Sequence, residues 1–356
     1  MQKVIKQSVG IDCGKDELVI SIAVMDNCFE EKNITTFSVS NDKVGFDMLL
    51  QMINKHQYPD ITANLVVEAT GVYHERLCYY LTEQGCKISV ILPNRAASFM
   101  RTLQIKTNND KISATALAIM GLQKKLDIWR VPEPTMNHLK QLSRERNDLL
   151  EDITSIKNQV HALNHSALPL DGTLKRMKVR LQVAQAQLID IEQEMKIIIA
   201  ADKDLKERFD NVCTIKGVGF ITAVTVVAET NGFNLIRNQR QLVSYAGLDV
   251  ISKESGTSIK TPGRISHKGN THLRKALHFP ALAAVRFDNK MKDRYMSLFA
   301  KHNIKMKAAV AIQRKLLVLI YTLWKNNEPY DTERSSVKYL EQSKKTALTE
   351  LVLDRS

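Results

Sequence analysis

Five short stretches near the N-terminus carry apolar residues in runs or in alternation: Ser8–Ile11, Leu18–Val24, Thr35–Val39, Ala63–Val67 and Lys87–Ile91. Their β-branched content predicts strands. Helical spacing fills the gaps after the third and fourth, at Val44–Lys55 and His74–Gln84. Three strands followed by helix, strand, helix and strand is the order of an α/β ribonuclease-H-like sheet, in which an antiparallel meander leads into parallel strands. A basic segment, Asn94 to Lys111, then precedes an Ala-rich helix that runs through Leu122.

The pattern changes after Val131-Pro132 and Glu133-Pro134, which mark a boundary. Leu139, Leu142, Leu149, Ile153, Ile156, Val160 and Leu163 recur at 3/4 spacing, broken only at Arg146. Past Pro169-Leu170-Asp171-Gly172 a second seam runs through Leu174, Met177, Leu181, Ala184, Leu188, Ile191, Met195 and Ile198. Two long amphipathic helices joined by a Pro/Gly break predict an α-helical coiled-coil hairpin, its first arm about 42 Å long at 1.5 Å per residue. Such a hairpin packs on itself, forms a dimer arm or spans nucleic acid.

The third region opens on Val212-Cys213-Thr214-Ile215-Lys216-Gly217-Val218-Gly219, two glycines between apolar residues and ahead of a helix. The turn is helix-hairpin-helix-like, with backbone N–H groups able to meet a phosphate, or else a plain tight connection. Ser, Gly and basic residues interleave from Ser252 to Asn270, a composition that suits phosphate contacts and equally suits turns. A basic-apolar helix follows at Asn303 to Asn327, then a polar tail. The domains so read are 1–130, 131–205, a mainly α-helical 206–330, and 331–356.

Candidate chemistry sits at the ends of the apolar stretches. Asp12 follows Val9 and Ile11, Glu68 ends Leu65-Val66-Val67, and Asp110 opens the Ala-rich helix. Singly, each has an ordinary role: a turn aspartate bonding its own backbone, or a helix N-terminal acid favoured by the macrodipole. Together, on two strand ends and one helix start of such a fold, they converge to hold Mg²⁺, a hard cation that takes carboxylate oxygens and water.

Lys and Arg number 51 against 38 Asp and Glu, a net charge of +13. That excess points to a polyanion bound through its phosphates. The 44% hydrophobic and 25% charged content is that of an ordinary globular protein and argues against disorder and against a membrane. Five cysteines without a close C-x-x-C pair suggest neither a disulfide framework nor a structural zinc site. With no secretory signal visible at the start, the expected compartment is the cytoplasm, with association with the nucleoid during work.

Taken in order, VGIDCGKD, VVEATGVY, DKISATALA, the heptad hairpin, IKGVGFITAVTVVAE, RQLVSYAGLD, ESGTS and GRISHKGNTHLRKAL resemble the insertion sequence 110 family of DEDD transposases, recombinases guided by a bridge RNA. The likeness runs from about residue 8 to about residue 330, and its C-terminal motifs are the most specific. It implies a RuvC-like nuclease domain, a coiled coil supporting a homodimer or homotetramer, and a C-terminal transposase domain with a nucleophilic serine. The family's acids carry over to Asp12, Glu68 and Asp110, with Mg²⁺ as cofactor. Its fourth acid, in a D-x-x-D-A pattern, is replaced by Ser113, with Asp127 the nearest later carboxylate. The nucleophile carries over to Ser255, with Ser266 as runner-up. Lys106, Lys216, Lys253, Lys260, Arg264, Lys268 and Arg274 are the expected nucleic-acid contacts, and donor DNA, target DNA and a guide RNA the expected partners.

Three rivals remain at this level. A RuvC-like nuclease or junction resolvase would cleave with metal-activated water and form no covalent intermediate. Actin-like ATPases also place D-x-G at a first hairpin, but the second Gly-rich phosphate loop and adenosine motif they need are missing from this sequence. Ser113 makes a non-catalytic nucleic-acid-binding protein the third.

Overall fold

The computed structural model describes residues 3–104, 107, 109–234, 236–251, 254–255, 259–260 and 263–331, with backbone alone at 254–255 and 259–260. The chain divides into two compact units, Met1–Val131 and Pro132–Ser356.

The first unit contains β1 (Val4–Cys13), β2 (Glu17–Asp26), β3 (Glu31–Ser40), α1 (Lys43–Lys55), β4 (Asn64–Glu68), α2 (Glu75–Glu83), β5 (Ile88–Ile91), α3 (Pro93–Thr102) and α4 (Asp110–Gln123). Its sheet has the order β3-β2-β1-β4-β5. The first three strands are antiparallel neighbours, and β1, β4 and β5 run parallel. This is the meander-then-parallel sheet expected from the strand order. One face, with Val9, Ile11, Leu18, Ile20, Leu65 and Val67, packs on Phe46, Leu49 and Ile53 of α1 and Leu77 and Leu81 of α2. The other face meets α3 and α4 through Val66, Ile91, Ala96, Phe99, Leu117 and Met120.

The α4 contact is unusually close. A Cβ on Gly10 would lie 2.0 Å from the Ala114 carbonyl oxygen and 2.3 Å from the Ala118 nitrogen, so glycine alone lets the helix backbone rest on β1. Two polar residues buried in β1 are satisfied by the backbone: Gln7 Nε2 donates to the His56 carbonyl at 2.9 Å, and Ser8 Oγ donates to the Asn64 carbonyl at 2.9 Å. They hide the true length of this strand, which extends four residues ahead of Ser8. The basic segment after β5 contains the further helix α3, started by Pro93 in its first turn, where a missing N–H costs nothing.

The second unit contains α5 (Pro134–Asn164), α6 (Asp171–Ala200), α7 (Lys203–Cys213), α8 (Phe220–Glu229), α9 (Gln239–Tyr245), β6 (Val250–Ile251), β7 (Glu254–Ser255), β8 (Ile259–Lys260), β9 (Arg264–Ile265), α10 (Thr271–Phe287), α11 (Asn289–His302) and α12 (Lys305–Asn326). Helices α5 and α6 form the hairpin. The break in the first seam is filled from the second helix, since Arg146 Nε donates to Glu192 Oε1 at 2.7 Å. Near the open end Met136, Leu139, Leu142, Ile191, Met195 and Ile199 join one core with α7 to α12. Towards the connection, Leu168 and Leu170 stand exposed.

This gradient sets a stability test. Leu139, fully buried, should cost about 2–5 kcal/mol on Leu139→Ala. Val179, 58% exposed on α6, should shift stability by no more than about 0.5 kcal/mol on Val179→Ala. Urea unfolding of both variants reads the difference.

The Lys216–Gly219 turn uses its glycines differently. Gly217 has φ +94°, and a Cβ there would come within 2.7 Å of the Pro280 carbonyl and the Ala284 nitrogen of α10. Gly219, ahead of α8, faces open space.

Candidate nucleic-acid-processing site

Acids at a sheet end. Parallel pairing of β1 with β4 ends at Ile11 opposite Val67, so Asp12 and Glu68 each follow by one residue on strands about 4.8 Å apart. Because side chains alternate, Asp12 shares a face with Gly10, which touches α4, and Glu68 shares one with Val66, which packs on the same helix. Asp110 is the first residue of α4, held there by its N-cap, the Asn109 side chain accepting from the Ile112 N–H at 2.9 Å. The α4 face of the sheet and the start of α4 thus bring the three predicted acids to one end of this unit. An open depression beside them is lined by Glu17, Val19, Ser38, Asn109, Asp110 and Lys111.

The electrostatics agree with that grouping. Burial raises the Asp12 carboxyl above its usual range, and the Asp110 charge raises it further, against a hydrogen bond from the Cys13 backbone. Burial, then Asp12, raises Glu68. Burial also pushes up the Cys13 thiol, with Cys78, Asp12 and Glu68 adding to it. All five cysteines are free thiols. Among the described residues none of the three acids is paired with a cationic side chain. Among the same residues no group of three or more His, Cys, Asp or Glu side chains is placed to hold a metal ion. Asp12 and Glu68 are partly buried and Asp110 is exposed, and carboxylates that repel one another and meet no cationic side chain among the described residues suit a divalent metal in their chemistry, with water to complete its shell.

Ser113 lies one turn into α4 and is buried, so the position of the fourth acid points inward with a hydroxyl. Asp127 is exposed and two residues before Trp129, whose N–H donates to the Ile88 carbonyl at the start of β5. Glu68 pairs with Ile91 at the other end of β5, so the structure does not bring Asp127 to the acids.

A finger on a seat. In the second unit β6 pairs with β9, through Val250 with Ile265 and Ile251 with Arg264. Beyond that pair, β7 and β8 join Glu254 to Lys260 and Ser255 to Ile259. The two ladders make a narrow β finger with Ser255 on its outer part. Ser266 sits at the neck instead: its N–H donates to the Asp249 carbonyl at 2.8 Å and its hydroxyl to Asp249 Oδ1 at 2.5 Å. Below the neck Gly247 and Gly269 touch, a Cβ on Gly269 falling 2.4 Å from the Gly247 nitrogen.

The predicted basic contacts divide. Lys216, Arg264 and Lys268 are exposed. Arg274 is largely spent on the fold, since its Nη1 donates to the Ala246 carbonyl at 2.9 Å and to the Asn270 carbonyl at 3.3 Å. Lys106 and Lys253 lie outside the described residues, as does the side chain of Lys260.

One buried acid escaped the sequence reading. Glu229, the last residue of α8, has a fully buried side chain that takes a two-point contact from Arg144 of α5, Nε at 2.7 Å and Nη2 at 3.1 Å. Asn270 Nδ2 donates to it at 2.7 Å. Burial alone would push this carboxyl up, but the bonds from Arg144 and Asn270 and the charges of Arg144 and Lys140 hold it below its usual range. The signal was present: a lone acid ends the apolar run Ala223-Val224-Thr225-Val226-Val227-Ala228, as Asp12 and Glu68 end theirs.

Residues 9–169 match the family DEDD_Tnp_IS110, described as a transposase, and residues 210–296 match the family described as Transposase IS116/IS110/IS902. Together the two matches cover more than half of the chain. The protein belongs to the IS110 family of transposases.

As a DNA transposase of this kind it has full-length relatives. The pilin gene-inverting protein of Moraxella bovis is 25% identical over 336 residues, spanning 92% of this chain and 98% of the relative. The transposase for insertion sequence element IS1111A of Coxiella burnetii is 24% identical over 354 residues, spanning 89% and 92%. Among solved structures, Thermus thermophilus RuvC is similar at 12% identity with a TM-score of 0.28, covering 35% of this transposase and 99% of that chain. The first family match ends at residue 169, in the connection between α5 and α6, and the second begins inside α7 and ends inside α11. The three acids of the first unit and the β finger of this IS110-family chain therefore fall under separate matches. No described helix of the transposase is long and apolar enough to cross a membrane.

Proposed function

We propose that this transposase excises and integrates its element by RNA-guided DNA strand exchange, with Ser255 as the nucleophile and a phosphoserine link to DNA as the intermediate. The observation that carries the reading is the in-register placement of Asp12 and Glu68 beside Asp110, three acids without a cationic partner among the described residues. These acids would hold Mg²⁺, which when bound supplies charge to polarise a phosphate and steady a departing oxygen.

The residues of the chain do the rest. Ser255 Oγ forms the new bond to phosphorus, its proton passing to solvent. The DNA P–O bond breaks, and the deoxyribose oxygen leaves and takes up a proton. A phosphodiester replaces a phosphodiester, so rejoining needs no external energy source. Lys216, Arg264 and Lys268 hold phosphates as exposed point charges. Sequence choice is delegated to base pairing with a guide RNA, and the +13 charge suits two nucleic-acid cargoes. The working form is a homodimer or homotetramer.

The test uses DNA with a labelled strand and the full chain purified with its bound RNA. Wild type should yield labelled protein that survives denaturation, and Ser255→Ala should yield none. Ser266→Ala should lower the yield by about tenfold at most, because it loosens the neck without removing the nucleophile. Mg²⁺-dependent nicking that persists in Ser255→Ala with no covalent product would establish the water-using nuclease instead. Label lost only in Ser266→Ala would move the nucleophile to the neck. Copurified RNA with loops complementary to both DNA partners would support the guide, and its absence from active protein would remove it.

A further inference from the structure

The finger is a segment with two feet. Tyr245 ends α9 just before it and Asn270 precedes α10 just after it, and the Asn270 N–H donates to the Tyr245 carbonyl at 2.8 Å. Both feet stand on one residue. Asn270 Nδ2 reaches the Glu229 carboxylate at 2.7 Å, and the Tyr245 hydroxyl donates to the Glu229 backbone carbonyl at 3.0 Å. Asn270 has a second duty, its Oδ1 capping α10 through the N–H groups of His272 at 2.9 Å and Leu273 at 3.2 Å. Glu229 is anchored in turn to the hairpin by Arg144. One residue earlier on the hairpin, Ser143 is buried and hydrogen-bonded to Thr225 of α8 at 2.8 Å.

We infer that Glu229 is a positioning residue: it seats both feet of the finger that carries Ser255 and ties that seat to the hairpin helix α5 through Arg144. A buried acid with a two-point arginine contact is often no more than a core ion pair. Here the acid has a third ligand, Asn270, which closes the finger and has no need of Glu229 to cap its helix. The side chain aims the finger because it holds the end that the cap leaves free to rotate. The inference rests on the reading of Ser255 as the nucleophile.

Asn270→Asp separates the two duties. Asp caps a helix as well as Asn does, so α10 keeps its start. The donor to Glu229 is lost, however, and two carboxylates face each other. Adding Glu229→Gln restores a hydrogen bond with its direction reversed, the new side-chain amide on α8 donating to the new carboxylate ahead of α10; the bond from Arg144 Nη2 to that position is given up, while the remaining oxygen still accepts from Arg144 Nε. In single-turnover strand cleavage at saturating DNA, Asn270→Asp should slow the reaction about 10- to 100-fold, the scale of a small misplacement remote from the reacting atoms. The Kd for DNA should stay within about threefold. The double variant should recover the rate to within about threefold of wild type. Tyr245→Phe, which removes one hydroxyl and keeps the ring, should slow cleavage by a smaller factor with the melting temperature unchanged.

Cleavage at the wild-type rate in Asn270→Asp overturns the inference. So does a double variant that regains melting temperature but not rate, which would make Glu229 a core ion pair only. Should Asn270→Asp fail to fold, an unaltered rate in folded Tyr245→Phe overturns it equally. Ser255→Ala is run beside these variants. If it still cleaves, the nucleophile assignment fails by itself, while the rate and rescue of the Asn270 variants continue to report whether the seat governs cleavage.

Discussion

Asp12→Asn should abolish strand cleavage, lowering the rate by about 10²- to 10³-fold or more, the scale on which removal of one preorganised electrostatic group is felt. DNA affinity should hardly change, because binding rests on basic side chains elsewhere. The same substitution should stabilise the metal-free protein near neutral pH. The folded Asp12 carboxyl titrates above its unfolded value, so the folded chain holds this proton more tightly than the unfolded one. Stability is therefore lost as the pH rises through the unfolded value of about 3.9 towards the folded one, and Asn carries no such penalty. The gain in melting temperature should be present at pH 7 and vanish below about pH 3.9. Titrating Mg²⁺ should raise the melting temperature of wild type and leave Asp12→Asn flat. Cleavage that survives in Asp12→Asn would remove the acids from the chemistry.

The second large effect belongs to a residue with no chemistry at all. Gly10→Ala should destabilise the N-terminal unit by about 3 kcal/mol or more and reduce cleavage with it. The added methyl would sit 2.0 Å from the Ala114 carbonyl oxygen and 2.3 Å from the Ala118 nitrogen, both backbone atoms that no rotamer change can move. Helix α4 must lift from β1, and Asp110 and Ser113 lift with it. Gly219→Ala is the control: its Cβ meets nothing within 4 Å, and the change should stay within about 1 kcal/mol. Calorimetric melting of both variants, with cleavage assays on the same preparations, checks the pair.

These two residues also show what the sequence disclosed. Asp12 and Glu68 were legible because each interrupts an apolar run where a charge has a cost, and the alternation of Leu65, Val66 and Val67 assigned the strand beneath. Gly10 was not legible as a contact point, since its role depends on a helix about a hundred residues further along the chain. Strand β1 was read short because Gln7 and Ser8 are polar, and only the fold supplies the His56 and Asn64 carbonyls that satisfy them. Arg146 looked like a fault in a heptad seam until Glu192 of the facing helix met it. Glu229 is the clearest loss. Its three partners lie on α5, the end of α9 and the start of α10, and no local pattern gathers them.

The parallel pairing of β1 with β4 bears on how such a protein tolerates insertions and deletions. Between Cys13 and Asn64 lie two strands, a helix and their connections, where a residue gained or lost in a surface loop leaves the pairing of Ser8 to Ile11 with Asn64 to Val67 intact. A residue gained inside either strand behaves differently. It turns the terminal acid to the opposite face of the sheet, towards α1 and α2. Lineages descended from this chain can therefore drift in length in the surface loops between Cys13 and Asn64 but not along the two four-residue strands of this ladder, where the smallest indel acts as a complete loss of one carboxylate.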